Sequence, residues 1–154
     1  MTTATFEPAS LADLDAIRGM LSAGGLPMED IEEHVANFIL ARKDGATVGT
    51  VGIEYAGEAA LLRSLCVAPS HRGQGLGARL LRASEAAAAA RGVRVLYLLT
   101  TSAAGFLEGH GFSRAPRESA PDGIRNTAQF RTLCPAAAAC LRKSLPSASA
   151  TGAS

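Results

Sequence analysis

Residues 67–81 read VAPSHRGQGLGARLL, an apolar stretch followed by a proline turn, a basic glycine-rich loop and a run with helical character. This stretch constrains the fold more than any other, because a strand that passes through a glycine loop into a helix uncovers consecutive backbone N–H groups at the helix start. Such groups collect partial positive charge and suit an anion such as a phosphate. Glycine lets that ligand approach because it has no Cβ, and Arg72 adds a charge-assisted donor. A plain strand-to-helix turn uses the same residues, so the remainder of the chain has to separate the two.

The chain is 154 residues long, one domain's worth, and its net charge of +1 with 19% charged residues gives no broad basic field for nucleic acid. A domain of this length buries about two-thirds of its unfolded surface and needs no disulfide to fold. A small ligand is therefore the expected partner. Cys66, Cys134 and Cys140 are an odd count without CxxC spacing, and no signal peptide precedes them, which reads as a reduced, cytoplasmic protein. The alanine-rich stretch ASEAAAAARG is interrupted by Glu85 and is too short to span a bilayer, so no membrane segment is expected.

Ser10 is placed as an N-cap with Asp13 three residues on, and Leu11, Leu14, Ile17 and Leu21 return at helical spacing until Gly24 and Gly25 stop the run. A short helix is expected in LPMEDIEEH, then strands at NFILAR, TVGTVGIEY and AALLRSLCV, separated by KDG and AGE turns. A helix from about Gly75 to Arg91 should turn Leu76, Leu80, Ala83 and Ala87 inward. VRVLYLL is apolar on both faces and reads as a central strand beside LLRSLCV. SAAGFLEGHG reads as a short helix capped by Ser102, FSRA as the start of an outer strand, residues 116–130 as a surface loop with helical patches, and AACLRKSL as a last strand. The expected class is α+β (mixed α/β), a twisted sheet with helices on both faces. One domain over residues 1–145 and a disordered tail over 146–154, which has nothing to bury, complete the organisation.

Three kinds of glycine loop compete at residues 72–78. A P-loop needs a lysine after its second glycine, and none follows Gly75 or Gly77. Gly73, Gly75 and Ala78 fit a dinucleotide fingerprint, but the ribose-binding acid due some twenty residues on is replaced by Leu99, Thr100 and Thr101. The third pattern is R-x-x-G-x-G, filled by Arg72, Gly75 and Gly77 after LRSLCVAPSH. Together with GFLEGHGF further on, it resembles the GNAT superfamily of acetyl-CoA-dependent N-acetyltransferases over about residues 5–115. The resemblance implies the acyl-CoA N-acyltransferase fold, with a mixed sheet of six to seven strands. It also implies that the backbone of Leu65, Cys66 and Val67 binds the pantetheine arm like an added strand. Arg72, Gly73, Gln74, Gly75, Leu76, Gly77 and Ala78 would hold the pyrophosphate.

Acetyl transfer from a thioester to an amine needs a deprotonated amine, a stabilised tetrahedral oxyanion and a protonated leaving thiolate. The resemblance gives the oxyanion contact to a backbone N–H near Val67. Glu54 is the leading candidate base, directly or through water, and an exposed strand-end carboxylate is the alternative; Glu58, Glu29, Asp30 and His34 follow. The family's general acid is a tyrosine after phenylalanine, and this chain has Leu107 after Phe106, so no hydroxyl fills that slot. Ser102 and Tyr97 are the nearby hydroxyls, with a helix cap and a core tyrosine as competing roles.

Arg63 interrupts an apolar strand, where an arginine needs a partner or a ligand. A salt bridge to Glu54 and a fork for a substrate carboxylate are both open readings. Arg125 and Arg131 invite the same substrate-binding reading. GLPMEDI, LLRSLCV and IRNTAQFRTLCPAAAACLRKSL resemble the small bacterial arsenic-resistance N-acetyltransferases through about Leu145. That likeness implies detoxification by capping the amine of glutamate-like molecules such as arsinothricin or phosphinothricin, and dimerisation through the closing strands is the matching expectation. No metal is expected, and the cysteines read as small apolar residues rather than arsenic ligands. A domain that binds acetyl-CoA without transferring its acetyl group, serving as a sensor, is the competing class.

Overall fold

Ser10 and Asp13 start the first helix as their spacing predicts: the Ser10 N–H donates to the Asp13 carboxylate at 2.8 Å. A 3-10 turn, Leu11–Asp13, runs into α1 (Leu14–Ala23), and the Gly24 N–H closes it on Met20 O at 3.0 Å. The computed structural model describes residues 3–133 and 137–146, so Cys134 and the tail from residue 147 lie outside the described residues. A strand that the sequence pattern does not mark, β1 (Thr5–Pro8), precedes this helix. After α1 come α2 (Ile31–His34), β2 (Phe38–Lys43), β3 (Ala46–Ala56), β4 (Ala59–Val67), α3 (Leu76–Ala90) and β5 (Val95–Thr100). The chain ends with α4 (Ala104–Glu108), β6 (Ser113–Arg114), α5 (Asp122–Arg125), a π-helical turn Gln129–Leu133, and β7 (Ala139–Ser144).

The strands are hydrogen-bonded in the order β1-β2-β3-β4-β5-β7-β6. The sheet is mixed: β4 and β5 run parallel, whereas β1–β2, β2–β3, β5–β7 and β6–β7 are antiparallel. The expected α+β class therefore holds, and β6 is the outer strand foreseen at FSRA.

Two compact units, interleaved in sequence, make up the chain. One is built from Met1–Ile53 with Ser64–Ser84, the other from Glu54–Arg63 with Glu85–Ser154. In the first, alternation along β2 assigns its two faces. Phe38 and Leu40 pack with Ile17 and Leu21 of α1, while Ala41 and the half-buried Ile39 pack with Leu76 and Leu80 of α3. The helices therefore cover opposite faces of β2. Gly52 sits opposite Phe38 in the β2–β3 register, and a Cβ there would come within 2.5 Å of the ring. Its lack of a side chain is what admits the largest buried side chain of this unit.

In the second unit Leu61, Tyr97, Ile124, Phe130 and Cys140 form one apolar cluster. Tyr97 is thus a core residue. Two expectations need correction. The α3 buried stripe runs through Leu76, Leu80, Leu81, Ser84 and Ala88, with Ala83 and Ala87 only half-buried. Ser84 tolerates burial because its hydroxyl donates to Leu81 O at 2.7 Å, which frees it from needing water. Ser102 does not cap α4: Thr100 Oγ1 accepts from the N–H groups of Ser102 and Ala103, at 3.2 and 2.9 Å.

Candidate active site

The end of β4 and the start of α3 form one continuous piece of the first unit. After Val67 a single 3-10 turn, Pro69–His71, is closed by the His71 N–H on Ala68 O at 2.9 Å. Gly73 and Gly75 then take φ of +79° and +80°, the left-handed region where only glycine sits without strain. A Cβ built on either glycine meets nothing within 4 Å, so the loop is open on its outer side. The Arg79 N–H makes the first bond of α3, to Gly75 O at 3.1 Å. The N–H groups of Gly73, Gln74, Gly75, Leu76, Gly77 and Ala78 all lie ahead of it, at the positive end of a helix of 15 residues. A run of N–H groups so placed has the geometry an anion cradle requires.

The backbone of β4 is sorted by edge. Ala68 N–H donates to Val48 O of β3 at 2.9 Å, and Cys66 O faces Gly49 of the same strand. Because successive peptide groups of a strand alternate, the N–H and C=O of Val67, and those of Leu65, point to the opposite edge. Cys66 thus spends its backbone toward β3, and Leu65 and Val67 are the two that present theirs. The ladder between β4 and β5 covers only Ala59–Leu62 and Val95–Leu98, although β4 continues to Val67. Just after that ladder ends, Ser64 holds φ of +58°, strained for a residue with a Cβ. The buried Thr50 steadies it by donating from Oγ1 to Ser64 O at 2.7 Å. Nothing in the sequence marks Ser64 or Thr50 for this role, since neither is a residue that left-handed turns select.

Arg72 donates from Nε to Val67 O at 3.1 Å, joining the loop to the end of β4. Beside it lies a pocket of about 340 Å³ in the same unit, lined by Met20 and Gly24 at the end of α1 and by Cys66, Val67, Ala68 and Arg72. The apolar periodicity of α1 points to its buried face and so passes over the small residues that leave this space open. The Cys66 thiol lies 3.6 Å from Met20 O, and burial pushes its pKa up, with the Arg72 charge opposing. A thiol so placed is a poor nucleophile.

Glu54 and Arg63 belong to the second unit and meet each other. Arg63 Nη1 donates to Glu54 Oε2 at 2.9 Å, with Glu54 8% and Arg63 3% exposed. Of the two open readings for Arg63, the salt bridge is present in the structure, and Glu54 is not an exposed strand-end carboxylate. Arg125 ends α5 with Nη1 3.5 Å from Asp122, and Arg131 is exposed in the π-helical turn. His34 stands with Nε2 3.5 Å from Asp30 Oδ2. Leu107 is fully buried, and the preceding Phe106 is exposed, its ring centroid 4.5 Å from that of His110 and tilted by 40° to it.

Comparison with known proteins gives this geometry a family. A family model described as an acetyltransferase (GNAT) domain matches residues 34–114. An uncharacterized N-acetyltransferase of Chlorobaculum tepidum is 31% identical over 140 residues, covering 86% of this chain and 88% of that protein. The chain belongs to the GNAT acetyltransferase family. It is an acetyl-CoA-dependent N-acetyltransferase of the GNAT type. An amino-acid acetyltransferase of Ralstonia nicotianae is 35% identical over 100 residues, which is 62% of this chain and 22% of that enzyme. N-acetylglutamate synthase of Neisseria gonorrhoeae, solved with coenzyme A and L-arginine, superposes with a TM-score of 0.81 at 21% identity. That match covers 94% of this chain and 34% of the synthase, so the chain spans about a third of its length. A Mycobacterium tuberculosis protein, Rv2747, solved with CoA and NLQ, gives 0.79 at 19% identity over 92% of this chain and 99% of the other. Among the described residues no helix is long and apolar enough to cross a membrane.

Proposed function

We propose that this domain transfers the acetyl group of acetyl-CoA to the α-amine of a small amino acid with a second acidic group, of the glutamate, arsinothricin or phosphinothricin kind. Capping that amine detoxifies the arsenical and phosphinic analogues in a cytoplasm where the cysteines stay reduced. The observation that carries the reading is the continuity of two features: outward peptide groups at Leu65 and Val67, and open N–H groups from Gly73 to Ala78. An arm bonded along the first delivers a pyrophosphate to the second. The acceptor class is supported by relatives, one named an amino-acid acetyltransferase and another an N-acetylglutamate synthase.

In the reaction the amine attacks the thioester carbonyl, and the oxygen gains charge as a tetrahedral centre forms. The Val67 N–H donates to that oxygen; such a donor contributes on the order of 3 kcal/mol to the transition state. Glu54 takes the amine proton, directly or through a water, with Arg63 orienting its carboxylate. The C–S bond then breaks. With Leu107 in place of a hydroxyl, the thiolate leaves as the anion and solvent protonates it. Arg125 and Arg131 bind the acceptor's acidic groups, since Arg63 is engaged by Glu54.

The test is release of free thiol from acetyl-CoA with glutamate, arsinothricin, phosphinothricin and a polyamine in parallel. Turnover confined to the acidic amino acids is expected. Turnover with the polyamine alone refutes the acceptor class, and binding of acetyl-CoA without turnover on any amine identifies a sensor.

A further inference from the structure

The loop arginine does more in this structure than face an anion. Its Nε is committed to Val67 O at 3.1 Å, and among the described residues the guanidinium has no carboxylate partner. The carbonyl it holds is on the same residue, and the same strand edge, as the N–H that faces the thioester oxygen in the reading above. Ala68 N–H, the other end of that same planar peptide group, donates to Val48 O at 2.9 Å from the β3 side. The last turn of backbone before the loop is thus fixed on both edges, one by a main-chain bond and the other by the Arg72 side chain.

We infer that Arg72 is a positioning residue for the transfer step: through Nε it sets the orientation of the Val67 peptide groups, and its terminal nitrogens remain for the anion. The inference rests on the acetyl-transfer reading and deepens it. It separates two roles that one guanidinium combines. Binding the pyrophosphate uses the cation, whereas holding Val67 uses one N–H at a fixed distance along the side chain. Ser64, with φ of +58°, adds reason for the tie, because a strained residue three positions upstream gives this short stretch a way to relax unless its far end is held.

Two substitutions divide those roles. In glutamine the amide nitrogen stands the same number of bonds from Cα as the arginine Nε, so Arg72→Gln keeps a donor for Val67 O and loses the cation. Arg72→Met has similar length and loses both. The donor for the assay is S-acetylpantetheine, which carries the thioester and the arm but no pyrophosphate. With it, Arg72→Gln should keep a kcat close to that of the unsubstituted protein, and Arg72→Met should fall about tenfold, the effect of one hydrogen bond on the barrier. With acetyl-CoA both variants should show a raised KM, since both lack the charge.

A second readout needs no turnover: the carbonyl carbon resonance of Val67 in the ligand-free protein. It should hold its place in Arg72→Gln and move in Arg72→Met, where the carbonyl loses its donor. Equal kcat for the two variants on S-acetylpantetheine, or a Val67 carbonyl that does not distinguish them, overturns the inference and leaves Arg72 as an anion contact alone. If the unsubstituted protein transfers acetyl to no amine while the Val67 resonance separates the variants, the tie is supported and the transfer reading is what fails.

Discussion

Replacing Glu54 with glutamine tests whether the buried pair is structural, chemical or both. Glu54→Gln conserves shape and removes the charge opposite Arg63, whose side chain has no solvent exposure while that of Glu54 has 9%. Leaving one member of a buried pair without its counter-charge costs about 3 kcal/mol or somewhat more. In a chain of this size each kcal/mol moves the midpoint by about 2–4 °C, so Tm should drop by roughly 6–12 °C. The double variant Glu54→Gln with Arg63→Met removes the buried cation together with the carboxylate and should recover most of that loss. Differential scanning calorimetry on the single and double variants measures the stability arm. Initial rates below the variant's midpoint measure the chemical arm: if Glu54 also takes the amine proton, kcat falls by about a hundredfold or more in both variants. An unchanged Tm for Glu54→Gln, or a double variant no more stable than the single one, refutes the pairing argument.

Three other perturbations follow from the geometry. Gly75→Ala places a Cβ in a backbone held at φ +80°, costs about 1–2 kcal/mol, and should raise the KM for acetyl-CoA with little effect on S-acetylpantetheine. Gly52→Ala drives a methyl to within 2.5 Å of the Phe38 ring and should destabilise by about 1–3 kcal/mol in urea titrations, with kcat of the folded fraction retained. Asp13, whose carboxyl is held below its usual value of 3.8 by the Ser10 N–H first and by Arg42 next, contributes stability above that value, which is lost as pH falls through the lower folded value. Asp13→Asn should therefore unfold more readily than the unsubstituted protein near neutrality, and the gap should close in strong acid.

The loop at residues 72–78 was legible because its chemistry is local. Glycines at 73 and 75 occupy the positive φ they alone adopt readily, and the helix behind them announces itself by period. Boundaries of β2, β4 and β7 follow equally well from apolar runs between turn residues. What escaped the sequence depended on contacts made elsewhere in the chain. The four residues of β1 include Pro8 and show no period, and only pairing with β2 makes them a strand. Thr100 outcompetes Ser102 as the acceptor at α4 because its hydroxyl, and not that of Ser102, receives the first free N–H groups. Ser84 looks polar by type, yet it turns inward because its own helix satisfies it. The sequence leaves Arg63 either Glu54 or a substrate carboxylate as its partner, and only the fold decides, by placing Glu54 against it across the β3–β4 hairpin. The conformation of the glycine loop was therefore readable residue by residue, whereas the Glu54–Arg63 pairing depends on how strands are registered.

The most direct measurement is mass spectrometry of the small-molecule product after incubation with isotopically labelled acetyl-CoA and either glutamate or phosphinothricin. The account requires a labelled acetyl group on the α-amine, formed in step with free thiol and abolished when the amine is already blocked. Label recovered only as hydrolysed acetate, or retained on coenzyme A with the protein saturated, would contradict it.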